Sequence, residues 1–497
     1  MGRKAPSAAP LLITLDQQAG RPIFQQVFDG IRDAILTGRL KRGQQVPSTR
    51  LLAGELGIAR STVVLAYEHL VAEGYLGART GAGSFVLYGL PDLPPRRPAS
   101  DTARPARAAP RAVARRTAPY CGANLGAPQV SRSPVAFRIG EPAIDAFPAR
   151  TWTRLYRERW LGNDHAFLRY GDPNGYRPLR EAIVRYLAAA RGVKADVEQV
   201  LLVRGTQQGI DLASRVLLDP GDAAWVEDPG YLAVRGALAG AGARIVPVPV
   251  GRDGIDVDAG KRLAPNARLA YVAPSHQFPL GVTMSLSRRL ELLDWASAAG
   301  AWVVEDDFDS EFRYVGRPLM ALQGLDADDR VIYIGTFSKT LFPALRLGYL
   351  VAPKDLVPAF VRVRMLTDYL SPTIEQAVVA DFMNEGHFAR HVRRMRSLYR
   401  ARQDALVGAA REHLADFAVV SASPTGMHLV AWLRSDLDDR RVAQLAYEAG
   451  IEAAPLSLYC ANASHPPALV LGYAAVSEDA MTEAVRGLRD VLLSAVE

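Results

Sequence analysis

One lysine, Lys339, stands between two apolar segments, VIYI before it and LGYLV after it. Runs of this kind, rich in β-branched residues, predict buried strands. Burial disfavours an ammonium group and lowers its pKa, which makes the amine a nucleophile for an aldehyde. The hydroxyls of Thr336 and Ser338 and the guanidinium of Arg346 suit a phosphate nearby. The stretch therefore predicts a ligand that carries both an aldehyde and a phosphate, as pyridoxal 5′-phosphate (PLP) does.

The spacing S-K-x-x-x-P-x-x-R-x-G, which runs from Ser338 to Gly348, resembles the lysine segment of fold-type I PLP enzymes, the aspartate aminotransferase superfamily. The resemblance implies that Lys339 is the catalytic-type lysine that holds PLP as a Schiff base. It also implies that Arg346 binds the phosphate of PLP.

Short apolar runs alternate with helical patterns through residues 119–497. This alternation predicts an α/β fold with a mostly parallel sheet and helices on both faces. Cofactor sites in such sheets gather at the carboxyl ends of the strands. The resemblance implies a smaller C-terminal subdomain as well. It assigns the following residues at strand ends: Gly205, Thr206 and Gln207 to the phosphate, Tyr231 to the face of the pyridine ring, and Asp306 to the pyridine nitrogen.

Two of these assignments leave alternatives open. Asp307 adjoins Asp306, and the order of the two along the turn decides which carboxylate points inward. Aminotransferases usually carry an asparagine near the phenolic oxygen of PLP, and Phe278 stands in register with it here. His276 and Gln277 are both candidates to replace that asparagine. The spacing of the acidic cluster indicates no metal site.

Tyr170 belongs to a segment, YGDPNG, that matches the Y-x-x-x-x-G element of the same superfamily. In that superfamily the tyrosine reaches the phosphate of the neighbouring subunit. The resemblance therefore implies a homodimer in which Tyr170 completes the site of its partner.

The first 90 residues predict three helices followed by a hairpin. Pro22 begins an apolar-faced helix that Gly38 ends, a second helix starts near Pro47, and a third runs from Arg60 to Gly74. The glycine-rich turn between the segments YL and SFV is typical of a β-hairpin. This order is that of a winged helix-turn-helix, in which the last helix enters the major groove of double-stranded DNA.

Polar and basic residues stand where such a domain meets DNA. The start of the third helix, the preceding helix and the wing supply them. The segments PSTR, ARSTVVLAYEHL, GYL and GAGSFV resemble the GntR-type DNA-binding domain along its length. The resulting candidates for DNA contact are Arg50, Arg60, Ser61, Thr62, Arg79 and Gly81.

Residues 91–118 are rich in proline, alanine and arginine and have no apolar period. They predict a linker between a DNA-binding domain, 1–90, and a PLP-binding domain, 119–497. The net charge of +7 agrees with a polyanionic partner. No apolar run is long enough to span a bilayer, and the two cysteines form no metal or redox spacing. We therefore expect a cytoplasmic protein without a membrane partner.

Both segments together, in this order, resemble the MocR/GabR-type regulators, which fuse a GntR-type domain to an aminotransferase-like domain. In true aminotransferases an arginine near the C-terminus binds the substrate's α-carboxylate, and Val470 occupies that place here. We expect a transcription regulator that senses PLP, or an amino acid reacting with it, and controls vitamin B6 or amino-acid metabolism. A working aminotransferase with an accessory DNA-binding domain is the alternative, because Lys339, Asp306 and Arg346 are retained.

Overall fold

The computed structural model describes residues 13–16, 20–79, 83–87, 113–114, 117–118, 135–162, 166–316, 319–369 and 371–496. The chain divides into two compact units, 1–111 and 112–497. The division falls inside the segment predicted to be a linker. Within the described ranges, no helix combines the length and the apolar character needed to cross a membrane.

The described residues of the smaller unit form three helices and a two-stranded antiparallel hairpin. Their bounds are α1 Ile23–Leu36, α2 Thr49–Leu56, α3 Arg60–Ala72, β1 Leu76–Arg79 and β2 Gly83–Val86. Ser48 caps α2 by accepting a hydrogen bond from the backbone N–H of Leu51, and Gly57 ends the helix in the left-handed conformation. The predicted winged helix-turn-helix is confirmed.

An apolar core holds the smaller unit together. Ile31, Leu52 and Val63 place one fully buried side chain from each helix into it, and Leu76 adds one from the hairpin. Tyr67 donates a hydrogen bond to the backbone carbonyl of Pro47 at 2.7 Å, which joins α3 to the segment before α2. The start of α3 is therefore exposed, while the rest of the helix is fixed by its packing in this core.

The larger unit is built on an eight-stranded sheet in the order β3-β10-β9-β8-β7-β4-β5-β6. Neighbours from β9 to β5 are parallel, whereas β10 runs antiparallel to both β3 and β9, and β6 runs antiparallel to β5. The bounds are β3 Val200–Val203, β4 Ala223–Asp228, β5 Arg244–Gly251, β6 Gly254–Ile255, β7 Leu269–Val272, β8 Trp302–Asp307, β9 Val331–Thr336 and β10 Gly348–Val351.

Helices connect these strands and cover the sheet. Strands β3, β4 and β7 to β10 are buried along their whole length apart from Trp302, as expected for a sheet packed on both faces. The helices are α4 Ala149–Leu161, α5 Arg177–Arg191, α6 Thr206–Leu217, α7 Leu232–Gly240, α8 Val257–Leu263, α9 Leu286–Ala299, α10 Leu322–Leu325, α11 Val357–Thr367, α12 Thr373–Asn384 and α13 His387–His413.

A smaller antiparallel sheet, in the order β11-β12-β14-β13, forms the C-terminal part of this unit. Its strands and helices are β11 Ala418–Val420, β12 His428–Leu433, α14 Asp439–Glu448, β13 Ala454–Pro455, β14 Ala468–Gly472 and α15 Glu478–Val496. The predicted α/β class, the mostly parallel sheet and the fold-type I architecture are confirmed.

Candidate cofactor site and nucleic-acid interface

A cavity of about 540 Å³ lies at the carboxyl ends of the central strands of the larger unit. It contains Lys339, which follows β9. Because the strands on either side of β9 end at the same edge, residues far apart in sequence meet here. The predicted site residues that line the cavity are Gly205, Thr206, Gln207, Tyr231, Asp306, Thr336, Ser338, Lys339 and Arg346.

Lys339 is part-buried, and its amine donates a hydrogen bond to the carbonyl oxygen of Gly140 at 2.8 Å. Burial lowers the pKa of the amine, while the carboxylates of Asp309, Asp306 and Glu141 oppose that decrease. Gly140 has φ +70, and a Cβ atom there would approach the lysine nitrogen to 2.4 Å, so a side chain at this position would be strained and would displace the amine. The lysine thus has a shifted pKa and a single neutral partner, which suits a nucleophilic amine.

Asp306 is the last residue but one of β8, and it lines the cavity. Its Oδ2 atom accepts a hydrogen bond of 2.5 Å from the hydroxyl of Tyr271, and its buried Oδ1 atom has no partner among the described residues. Burial raises the pKa of Asp306 to about 7. A buried carboxylate oxygen of this kind, at the wall of a cavity, can accept a hydrogen bond from an N–H group of a ligand.

Asp307 points away from the cavity, because successive side chains of a strand alternate between the faces. Its Oδ2 atom accepts hydrogen bonds from Arg191 at 2.8 Å and from the hydroxyl of Tyr333 at 2.5 Å. Arg191 also donates to Ser275. Asp307 is therefore a member of a buried ion-pair network, and the structure favours Asp306 over Asp307 as the ligand-binding residue.

The other end of the cavity presents donors suited to an anion. Helix α6 begins at Thr206, directly after Gly205, so free backbone N–H groups point out of its first turn. Ser338 donates its backbone N–H to the hydroxyl of Thr336 at 3.1 Å. Arg346 is exposed and has φ +48, an uncommon conformation for a residue other than glycine. A helix start, hydroxyls and a guanidinium are donors that suit an anion such as a phosphate.

Three residues predicted for the cofactor site differ in their position relative to the cavity. Tyr231 is at the cavity, immediately before α7. His276 is fully buried behind the lining residue Asp309, whose Oδ2 atom lies 2.8 Å from its Nδ1 atom. Gln277 is bound to backbone carbonyl groups of Pro229 and Phe278. Neither His276 nor Gln277 is among the residues that line the cavity.

Tyr170 is 87 % exposed and does not line the cavity of its own chain. Its ring centre lies 5.6 Å from that of Tyr369. A large exposed aromatic side chain agrees with the expectation that it acts in another subunit, and that role stays a prediction.

Sequence reasoning missed several lining residues, which are Glu227, Tyr271, His428 and Tyr459. Glu227 lies on β4 and Tyr271 on β7, each near the carboxyl end of its strand. Burial raises the pKa of Glu227 to about 8, and burial lowers the pKa of His428 well below its usual range. A polar residue near the end of a central parallel strand was the signal that could have found Tyr271 and Glu227.

His276, Asp309 and His428 place one potential metal-ligand atom each within 4.8 Å of one another. His276 Nδ1 lies 2.8 Å from Asp309 Oδ2, and His428 Nε2 lies 3.0 Å from the carbonyl oxygen of Pro279. We interpret the three side chains as a buried hydrogen-bonded cluster beside the cavity, in which Asp309 and His428 line the cavity and His276 lies behind them.

The candidate nucleic-acid interface is the start of α3. Arg60 and Ser61 are exposed there and Thr62 is half-buried. The Nε atom of Arg60 donates to the hydroxyl of Thr49 at 3.4 Å, which connects the starts of α2 and α3. Arg50 is exposed in the first turn of α2. Gly81 and the side chain of Arg79 lie outside the described residues, so their predicted contacts stay predictions.

Comparisons with known proteins agree with both parts of this description. The family of aminotransferases of class I and II matches residues 135–488, and the gntR family of bacterial regulatory proteins matches residues 23–86. The larger unit resembles the kynurenine aminotransferase of Pyrococcus horikoshii, with a TM-score of 0.68 and 28 % identity over 74 % of this chain and 92 % of that one. Fold and site together define a DNA-binding domain joined to a fold-type I aminotransferase domain.

Regulators are among the proteins that are similar to this one over nearly the whole chain. The "Probable rhizopine catabolism regulatory protein MocR" of Rhizobium meliloti is 40 % identical over 97 % of this chain and 96 % of its own length. The pyridoxine biosynthesis regulator PdxR of Corynebacterium glutamicum is 29 % identical over 97 % of this chain and 99 % of its own length. The chain belongs to the GntR-family transcriptional regulators of the MocR/GabR type, and the regulator is favoured over the accessory-domain aminotransferase.

Proposed function

We propose that this regulator binds PLP covalently at Lys339 and that the state of this site controls how the protein binds its operator DNA. The alpha-aminoadipate aminotransferase LysN of Thermus thermophilus, 28 % identical with a TM-score of 0.68 over 74 % of this chain and 96 % of that one, was solved with N-(5′-phosphopyridoxyl)-L-leucine. That complex supports a phosphopyridoxyl group as the ligand of the corresponding cavity.

The observation that carries the proposal is the unpartnered Oδ1 atom of Asp306 in the same cavity as the amine of Lys339. PLP brings the aldehyde that the amine requires and a ring nitrogen that the carboxylate keeps protonated, which makes the ring an electron sink. The phosphate matches the donors around Gly205, Ser338 and Arg346. The residues present therefore fit this cofactor.

Each residue has a separate task in this proposal. Lys339 supplies the covalent attachment, and Arg346 with the start of α6 holds the phosphate. Tyr271 donates to Asp306 and so fixes the orientation of its carboxyl group. Tyr231 covers the ring from the side of α7. Together these residues would hold PLP in one orientation in the cavity.

The signal is PLP itself or a small amine-bearing ligand that binds beside it, and the genes under control belong to vitamin B6 or amino-acid metabolism. Such a ligand changes DNA binding only by its different affinity for two arrangements of the protein. We further propose a homodimer, which places two helix-turn-helix domains on the two half-sites of an operator. Operator binding places the protein in the bacterial cytoplasm.

Replacing Lys339 by alanine tests the proposal. Wild-type protein mixed with PLP and reduced with borohydride is expected to carry the added mass on the peptide that contains Lys339. The Lys339→Ala variant is expected to carry none, to lose any response to the effector and to keep its basal DNA affinity, measured by fluorescence anisotropy.

The matched control is Lys354→Ala, since this lysine is 70 % exposed and bound to Asp196 at the surface. The control variant is expected to be labelled at Lys339 like the wild type. Labelling spread over surface lysines, or loss of all DNA binding in folded Lys339→Ala protein, would contradict the proposal.

A further inference from the structure

Carboxylates dominate the part of the cavity around Lys339. Asp306 and Asp309 line it and are 5 % and 1 % exposed. With Glu141, they are the charged groups that act on the lysine amine. The Oδ2 atom of Asp309 lies 2.8 Å from His276, whereas its buried Oδ1 atom has no hydrogen-bond partner in the part of the chain that the structure describes. A free acceptor on a buried lining residue calls for an N–H or O–H group on the ligand.

Cations are scarce by comparison. Lys339 and Arg346 are the lysine and arginine among the described residues that line the cavity. Under the proposed function both are occupied, one by the covalent attachment and the other by the phosphate. His428 also lines the cavity, but burial keeps its pKa well below the usual range, so the ring is neutral. The described cavity therefore has no cation left for the carboxylate of an amino acid.

Arg138 is the arginine next to the lining residue Ile139, and it is already bound. Its Nε and Nη2 atoms donate to the two oxygens of Glu452 at 2.8 and 2.6 Å, and its Nη1 atom lies 3.5 Å from Glu141. Two carboxylates neutralise this guanidinium, and releasing it would leave Glu452 without its bidentate partner.

Val470 makes the adjoining wall apolar. It lies in the middle of β14, paired with Val430 on one side and Ala454 on the other, and it is fully buried. The apolar cluster around it includes Tyr459 and Leu458. Both of these residues also line the cavity. An aliphatic side chain in this cluster cannot bind a carboxylate.

We propose that the effector of this cavity is a primary amine without a carboxylate, of the amino-alcohol class, and not an α-amino acid. The inference rests on the proposed function, because it assigns Lys339 and Arg346 to PLP. The hydroxyl of an amino alcohol satisfies the free oxygen of Asp309. A carboxylate in its place would lie among carboxylates of the same sign, an arrangement that strongly opposes binding.

Matched ligand pairs test this proposal on the full-length, PLP-loaded wild-type protein. Alaninol and alanine, leucinol and leucine, and phenylalaninol and phenylalanine differ in the replacement of the carboxylate by a hydroxymethyl group. Binding is measured by isothermal titration calorimetry and by the change in DNA affinity. We expect an amino alcohol to bind at least about tenfold more tightly than its amino acid.

An amino acid that binds as tightly as its amino alcohol, or a panel in which no amino alcohol binds, would overturn the inference. Attachment of PLP to Lys339 is verified by mass before any ligand is added. A failure at that step rejects the cofactor proposal and is thereby distinguished from a failure of the effector class.

Two variants test the physical cause. Val470→Arg supplies the missing cation and is expected to move the preference toward the amino acid of each pair by about tenfold or more. Asp309→Asn removes one negative charge while keeping the size of the side chain. It is expected to reduce the difference in affinity between each amino alcohol and its amino acid. The second variant decides the question if the buried arginine prevents folding, and an unchanged preference in folded Asp309→Asn protein would count against the proposed cause.

Discussion

The hydroxyl of Tyr271 donates to Asp306 at 2.5 Å, so one carboxylate oxygen is held in place, while no described residue bonds the other. The tyrosine comes from β7 and the aspartate from β8, two neighbouring parallel strands. Their contact holds the carboxylate of Asp306 in one orientation at the ends of the two strands, where its other oxygen can accept a hydrogen bond. The next residue, Asp307, accepts from Arg191 instead. One of two adjacent aspartates thus faces the cavity and the other the core.

Asp306→Asn is expected to raise the dissociation constant of PLP by about tenfold or more, because a charge-assisted hydrogen bond is replaced by a weaker neutral one. Burial raises the pKa of Asp306 to about 7. At pH 8 the variant is therefore expected to unfold, without PLP, at the same or a higher urea concentration than the wild type. Fluorescence titration and urea denaturation measure the two effects. Wild-type affinity for PLP in this variant would exclude the assigned role.

Asp307→Asn is expected to lower the stability of the protein rather than its affinity for PLP. Loss of the carboxylate leaves the buried guanidinium of Arg191 without its counter-charge, which is expected to lower the free energy of unfolding by about 3–5 kcal/mol. Urea denaturation followed by tryptophan fluorescence measures this change, since all six tryptophans belong to the larger unit. A stable Asp307→Asn protein that has lost its affinity for PLP would reverse the assignment of the two aspartates.

Glu227 predicts a pH dependence of stability. Burial raises its pKa to about 8 in the folded protein, whereas an unfolded glutamate titrates near about 4.3. Between these values the folded state holds a proton that the unfolded chain has released. The contribution of Glu227 to the free energy of unfolding therefore falls as pH rises from about 4 to about 8 and is constant above that.

Glu227→Gln removes this titration and is expected to become more stable relative to the wild type as pH rises from 5 to about 8. Urea denaturation at four pH values measures the difference. Glu483→Gln, on the exposed side of α15, is the control and is expected to show no such trend. A constant difference between Glu227→Gln and the wild type across this range would contradict the predicted protonation.

Arg60→Ala is expected to weaken DNA binding by about tenfold to a hundredfold, because the side chain is exposed at the start of α3. Fluorescence anisotropy with a genomic fragment selected by the wild-type protein measures the affinity at several salt concentrations. Loss of a phosphate contact reduces the salt slope by about 1. Arg252→Ala, an exposed arginine of the larger unit, is the control. Equal effects of the two substitutions would refute a specific role for Arg60.

Tyr170 predicts complementation between subunits. Tyr170→Ala and Lys339→Ala homodimers are each expected to bind PLP at least about tenfold more weakly than the wild type. A mixed dimer, purified with two different tags, unites the intact lysine of one chain with the intact tyrosine of the other at one site. Tight PLP binding at that site is expected. A mixed dimer without a tight site would show that Tyr170 acts within its own chain, if at all.

The spacing of residues over short stretches of the sequence was sufficient to predict much of the fold. The winged helix-turn-helix was predicted because its helix starts, glycine turns and apolar faces are all determined over a few residues. Alternation of apolar runs and helical patterns predicted the mostly parallel sheet, since both periods are local properties. The segment from Ser338 to Arg346 predicted the cavity lysine for the same reason: its residues are neighbours in the chain.

The tertiary structure decided what depends on strand pairing. Asp306 faces the cavity and Asp307 the core because the register of β8 with its neighbours sets the face of each side chain, and a shift of one residue would exchange them. His276 is behind Asp309, and Tyr271 reaches Asp306, through contacts between segments about 33 to 35 residues apart. The sequence alone determined which chemical groups the chain possesses, whereas packing between distant strands determined which of them meet, because burial and hydrogen bonding are properties of the assembled sheet.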